Sequence, residues 1–136
     1  MFTWRGTAFD DSLRGFVTEG QEYRVPGFLA TSFSEVKAKE FIYSEATVYG
    51  KPGVLWKVHV DPAGGDEPAR RCKNVNYVRH TLVAGEREYL FAAYSVFTIR
   101  RVTWSADTTA EPHRIELDAA LDNAECSEDL PLAPWY

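Results

Sequence analysis

From Glu86 to Trp104 the chain is strand-forming almost throughout, and nothing else in it restricts the fold as much. Strands run to about five or six residues, so this stretch is expected to hold two, joined near Ala92–Ser95. Helical spacing occurs once at length. Val36, Ala38, Phe41, Ile42 and Ala46 predict an amphipathic helix over roughly 35–47, with Ser34 as N-cap and Glu35 in the first turn, where the dipole favours a carboxylate. Residues 2–8 read as a strand with Phe2 and Trp4 on one face and Thr3 and Arg5 on the other. Turn chemistry at Val25-Pro26-Gly27 leads into a second strand, Phe28–Phe33. Residues 54–60 alternate so as to bury Val54, Trp56, Val58 and Val60. Asp10-Asp11-Ser12 opens a short helix that Gly15 stops, Asp61–Pro68 is loop, Arg70–Arg79 is basic and irregular, and Arg114–Leu117 adds a last strand. One helix among many strands, without regular alternation of the two, predicts an α+β fold with antiparallel sheets.

At 136 residues the chain is read as a single domain, 1–136, with room for a real core. Its 8 Phe, 7 Tyr and 4 Trp point to a core of large flat side chains or a site that stacks against rings. No apolar run approaches the roughly 18–20 residues of a membrane span, and Met-Phe-Thr-Trp-Arg-Gly has no export pattern. The compartment is left unnamed. Cys72 and Cys126 allow one disulfide, formed or not. There is no Cys-x-x-Cys, and His59, His80 and His113 are scattered, so no metal site is expected.

With 15 Lys+Arg against 20 Asp+Glu the net charge is −5, but it is unevenly placed. Residues 107–136 hold eight acids and one base, Arg114, giving −7, so residues 1–106, with 14 bases and 12 acids, carry +2. The body suits a small anionic ligand, and the acidic end reads as a tail that repels or recruits partners. Arg70-Arg71-Cys72-Lys73 is the one basic run, without a stacking platform, and no nucleic-acid partner is expected. Pro131 and Pro134 keep the C-terminal stretch non-helical, while Leu130, Leu132, Trp135 and Tyr136 are expected to dock it onto the body.

Three short stretches can carry chemistry. In Trp4-Arg5-Gly6 an arginine suited to gripping a phosphate through two parallel hydrogen bonds precedes a glycine whose backbone a ligand can approach. Ala30-Thr31-Ser32 places hydroxyls at a strand end, where they can bond a ribose or orient a carboxylate. In Gly85-Glu86-Arg87-Glu88-Tyr89-Leu90-Phe91 strand period sets Glu86 and Glu88 on one face, a like-charge repulsion that makes sense where carboxylates must meet a cation. Each stretch alone is better explained by a surface arginine, ordinary strand residues and a solvated strand start.

In this order the three resemble the mono-ADP-ribosyltransferases of the Arg, Ser-Thr-Ser, Glu-x-Glu type, the branch holding arginine-specific eukaryotic enzymes and bacterial toxins. The likeness runs over residues 2–104, with Tyr94-Ser95-Val96-Phe97 following the acidic pair. It implies two packed antiparallel β-sheets with few helices and NAD, the co-substrate, in the cleft between them. By position Arg5 holds an NAD phosphate and Gly6 pairs with the nicotinamide amide, with Thr31 and Ser32 beside them. Glu88 is the catalytic glutamate, bonding the nicotinamide-ribose 2′-hydroxyl and stabilising the oxocarbenium. Glu86 receives the nucleophile, and a Glu there goes with arginine as acceptor. The implied partners are NAD and a protein with an accessible arginine, without membrane or metal, the chain acting as a monomer.

Two departures stand out: Ala30 occupies the place of the family's first Ser, and Arg5 lies almost at the first residue, where relatives have a helical region. Either Ser32 takes part of the missing hydroxyl's role, or Glu88 is held otherwise, or activity is low. The same site used on water would make the chain an NAD glycohydrolase, and a non-catalytic module on this fold is the rival from another class. Residues 76–85 correspond to the target-recognition loop, with Tyr77, Arg79 and His80 as candidates for touching the acceptor. Phe41 and Tyr43 can stack on nicotinamide, although helical spacing assigns Phe41 to the core.

Overall fold

The computed structural model describes residues 1–61, 72–78 and 88–136, without the side chains of 45–47, 49 and 76–78. Glu86, Arg70, Arg71, Arg79 and His80, and the loop reading of Asp61–Pro68 past its first residue, lie outside the described residues.

Eight strands are described: β1 Phe2–Ala8, β2 Glu22–Val25, β3 Leu29–Ser32, β4 Gly53–His59, β5 Val75–Val78, β6 Glu88–Phe91, β7 Ser95–Thr103 and β8 His113–Ala119. The helix α1, Glu35–Tyr49, follows β3, and Ser34 caps it by accepting from the Lys37 amide at 3.2 Å. The long strand-forming run does split as its length requires, into β6 and β7. A short 3-10 turn at Asp11–Leu13, capped by Asp10, stands where Asp10-Asp11-Ser12 predicted a helix start. β2 and β5 are absent from the sequence reading. Each is four residues long, too short for period two to separate it from loop, and β5 falls inside the basic stretch.

The strands form one hydrogen-bonded sheet in the order β2-β7-β8-β4-β1-β3-β6-β5. This differs from the expected pair of antiparallel sheets in two respects. The ladder is continuous, and it is mixed, because β4 and β8 run parallel from Val54↔His113 to His59↔Asp118. The sheet nevertheless curls. β6 and β7 are five strands apart, about 24 Å in a flat sheet, yet the rings of Phe91 and Phe97 lie 5.2 Å centroid to centroid. The two ends therefore face each other across a common core. Curling is easiest where pairing is thinnest, and β1 and β3 pair only at Trp4↔Ser32.

That core is built on rings. Trp135 sits 5.1 Å from Tyr23, 5.2 Å from Trp56 and 5.6 Å from Phe16, so the aromatic content is spent largely on packing. The docking expected of the C-terminal stretch is observed, but with a different division of residues. Leu132 bridges to Arg24 on the edge of β2, and Ala133 donates to the Arg24 carbonyl at 2.8 Å. The Arg24 guanidinium in turn donates to the carbonyls of Tyr94 and Ser127, both at 2.8 Å. Ala133 is buried and Trp135 packs on the core, while Leu132 and Tyr136 stay exposed.

The acidic end proves to be part of the sheet. β8 lies between β7 and β4 with Ile115, Leu117 and Ala119 buried. Its outward Glu116 meets His59 at 3.2 Å, Arg101 at 3.6 Å and Lys57 at 3.7 Å, and Asp118 meets Arg100 at 3.4 Å. Further on, Asp122 meets Lys73 at 3.6 Å. Such partly exposed pairs contribute about 0–1 kcal/mol each. They do show that Glu116, Asp118 and Asp122, three of the eight acids of the −7 segment, are met by side chains of the body within the fold. Cys72 is buried and Cys126 half-buried, both as free thiols, and burial pushes both thiols up.

α1 covers the outer face of β1 and β4 at very close range, and glycine makes this possible. A Cβ built on Gly6 would lie 1.9 Å from the Ala38 carbonyl oxygen and 2.7 Å from Ile42 Cγ1. Trp4, Ala38, Ile42 and Leu55 form the small cluster beneath the helix. Leu55 is thus as buried as the alternating residues on the opposite face of β4, which the period-two reading alone would expose. Gly6→Ala must displace backbone, and overpacking of that kind costs about 1–3 kcal/mol. Urea unfolding should show the loss at the upper end of this range. A variant as stable as the parent would mean that the helix is not seated on β1.

Candidate functional site

The cleft that matters opens where β1 and β3 part. Next to their single pair, Trp4↔Ser32, Arg5 reaches across and its guanidinium donates to the Ala30 carbonyl at 2.9 Å. The resulting depression, about 270 Å³, is lined by Trp4, Arg5, Gly6, Ser32, Phe41 and Glu88, with Ala30, Thr31 and Ala38 completing its wall. Five of the six residues singled out in the sequence therefore come together: Arg5, Gly6, Thr31, Ser32 and Glu88. Glu86, the sixth, lies outside the described residues.

Register explains why they meet. β3 and β6 are antiparallel with Ser32 opposite Glu88 and Ala30 opposite Leu90. Directly opposed residues share a face with their Cβ atoms about 4.5–5.5 Å apart, so Ser32 is the hydroxyl beside Glu88. Ala30 is its diagonal neighbour. The Ser32 oxygen accepts the Ser34 amide at 3.0 Å, which fixes it at the turn into α1. Thr31 is spent otherwise. It is buried and donates to the Tyr89 carbonyl at 3.0 Å, fastening β3 to β6 one residue from Glu88.

Helical spacing misassigned Phe41. Its ring is 50% exposed and lines the cleft, because the buried stripe of α1 is made by Ala38 and Ile42. Tyr43 points elsewhere, to a depression with Lys51 and Thr109. Of the loop before Glu88, Asn76–Val78 belong to β5 and pair with β6, Val78 opposite Glu88. The side chain of Tyr77 is not among those described. No group of three metal-capable side chains occurs among the described residues, and none of their helices is long and apolar enough to cross a membrane.

Pairings read across the whole sheet show a feature that no local motif announces. Arg101, Glu116, Lys57, Trp4, Ser32 and Glu88 form one transverse row over β7, β8, β4, β1, β3 and β6. They share one face, and Trp4 separates the carboxylate end from the cationic end.

This curled sheet, with one helix seated beside a split strand pair, is the fold of ADP-ribosyltransferases. Vis toxin, an ADP-ribosyltransferase from Vibrio splendidus, is similar with a TM-score of 0.66 and 20% identity, over 99% of this chain and 55% of that one. Exoenzyme S from Pseudomonas aeruginosa is similar with a TM-score of 0.61 and 18% identity, over 96% of this chain and 54% of that one. The ADP-ribosyltransferase HopU1 of Pseudomonas syringae gives 0.60 and 17%, over 88% and 44%. The chain thus spans about half the length of these structures. No family model matches it, and no curated protein matches its sequence.

Proposed function

We propose that this chain is an NAD-dependent mono-ADP-ribosyltransferase that moves ADP-ribose onto the side chain of a protein arginine and releases nicotinamide. The observation that carries the proposal is the convergence of Arg5, Gly6, Ser32 and Glu88 on one cleft, with Ser32 in register beside Glu88. Residues 83 positions apart in the chain have no local reason to meet there. The comparison structures lend chemistry to the same reading. Exoenzyme S is described bound to carba-NAD, and Vis in complex with agmatine, a small molecule ending in a guanidinium.

In the proposed reaction Arg5 grips an NAD phosphate and the backbone at Gly6 pairs with the nicotinamide amide. The half-exposed Phe41 ring offers a face on which a planar group can stack. Ser32 orients Glu88, whose carboxylate bonds the 2′-hydroxyl of the nicotinamide ribose. The bond between C1′ and the nicotinamide nitrogen breaks with its electron pair going to nicotinamide. Glu88 stabilises the positive charge left on the ribose, as fixed charges do wherever charge develops in a transition state. A guanidinium nitrogen of the acceptor then forms the new bond to C1′, and Glu86 takes its proton. A guanidinium is a permanent cation with five donors, which is why a carboxylate at 86 selects it.

Incubation with NAD and agmatine separates the outcomes. The expected product is an ADP-ribose–agmatine adduct, found by mass spectrometry, in step with nicotinamide. Free ADP-ribose without adduct would make the chain a glycohydrolase. Absence of NAD binding in a calorimetric titration would make it a binding module on the same fold.

A further inference from the structure

The cationic end of the transverse row lines a second depression, about 220 Å³, formed by Trp4, Lys57, Arg101, Arg114 and Glu116 together with Leu55 and Thr103. Trp4 is common to it and to the Glu88 cleft, so the two lie side by side on one face of the sheet. Three cations and one carboxylate leave +2 on this wall, in a chain whose net charge is −5. Lys57 and Arg101 both converge on Glu116, at 3.7 and 3.6 Å. Arg114 leans toward Glu35 at 3.5 Å. Arg101 is 72% exposed along its side chain, so a ligand can reach it without disturbing the core. Glu116, Glu35 and Glu111, the last at 3.9 Å from Arg114, do not saturate these donors: a guanidinium carries five and an ammonium three.

We propose that this depression is a phosphate-binding subsite. If the NAD reading above is right, on which this part rests, it takes a phosphate of the adenylate half while the nicotinamide riboside occupies the Glu88 cleft. Size and spacing both favour the division. Pockets for drug-sized ligands run to about 300–1,000 Å³, and the Glu88 cleft, at about 270 Å³, is small for a whole dinucleotide. From Glu88 to Lys57 the row crosses three strand spacings, through Ser32 and Trp4. That is about 14 Å of backbone, a stretch that an extended dinucleotide covers. The Trp4 ring between the two depressions offers a surface on which the ligand's middle can lie.

The test titrates inorganic diphosphate, and separately NAD, into the whole chain by calorimetry. The variant is Arg101→Gln with Arg114→Gln, and the control removes two cations elsewhere, Lys51→Gln with Lys73→Gln. Diphosphate should bind the parent and the control alike, and the double arginine variant about tenfold more weakly per arginine removed. Equal weakening in variant and control would reduce the effect to net charge and overturn the subsite, as would diphosphate failing to bind the parent. NAD separates the two readings. If NAD weakens alongside diphosphate, the adenylate assignment stands. If diphosphate depends on the arginines while NAD binds the variant as it does the parent, the adenylate assignment is overturned. If NAD binds none of the proteins while diphosphate keeps its dependence, the phosphate site stands and the NAD reading fails.

Discussion

Glu88→Gln is expected to slow nicotinamide release from NAD by about 10²–10³-fold, the usual effect of removing one group aimed at developing charge. The amide keeps the shape of the carboxylate and can still meet Ser32 across the β3–β6 pair, so thermal unfolding should stay where it is. On the proposed mechanism, what it loses is the negative charge facing the ribose when nicotinamide departs. Transfer and hydrolysis both pass through that step, and both should fall together. Glu86→Gln should behave differently. A carboxamide there no longer accepts the acceptor's proton or pairs with a cation, so transfer to agmatine collapses while NAD hydrolysis continues. Parallel measurement of adduct and free ADP-ribose in the two variants decides the matter. Equal loss of hydrolysis in both would show that the two carboxylates do not divide the work, and the assignment of Glu86 to the acceptor would be withdrawn.

Deleting residues 107–136 should abolish the folded state altogether. The charge pattern suggested an appendage, but β8 supplies a parallel ladder to β4 and an antiparallel one to β7. Removing it exposes Val54, Val58 and Ile99, and takes away Ile115 and Leu117, all at most 2% exposed. Full burial of each large aliphatic side chain contributes about 1.5–3 kcal/mol. A domain of this kind has only about 5–15 kcal/mol in total. The cut also takes Trp135 out of the ring cluster with Tyr23 and Trp56, and truncating a packed Trp costs about 3–5 kcal/mol by itself. Far-UV circular dichroism and a urea titration should therefore show no cooperative transition in the truncated chain. A transition with an unchanged midpoint would mean that the acidic end is dispensable after all and acts on partners. The shorter change Trp135→Ala, which leaves β8 in place, should give a folded protein with a lowered midpoint.

These two expectations draw on different information. The candidacy of Glu88 was legible in the sequence, because an arginine, a hydroxyl-bearing strand end and an acidic pair in that order resemble one family's motifs. The importance of β8 was not, since Arg114–Leu117 looks like any short strand. Its rank comes from standing between β7 and β4, partners more than ten and fifty residues away. Phe41 shows the same limit on a smaller scale. The spacing puts Val36, Ala38, Phe41 and Ile42 on one stripe, and only the seat of α1 on Gly6 decides that Ala38 and Ile42 are buried while Phe41 and Val36 stay exposed. The acidic end likewise has a composition that any counting finds, but that its charges answer Lys57, Arg100 and Arg101 is a matter of neighbouring strands.

What the sequence by itself determined is therefore local and ordered: which stretches are extended, where the one long helix starts, and which residues are chemically capable. Period two, capping and residue type act over a few bonds and need no partner. Tertiary structure alone decided which strand lies beside which, that β4 and β8 run parallel, and that the sheet curls until Phe91 touches Phe97. It alone set Ser32, rather than position 30, opposite Glu88, and it drew six residues from six strands into one row. Register is settled by burying one face of every strand at once. That is a condition on the whole chain, and no segment can report it alone.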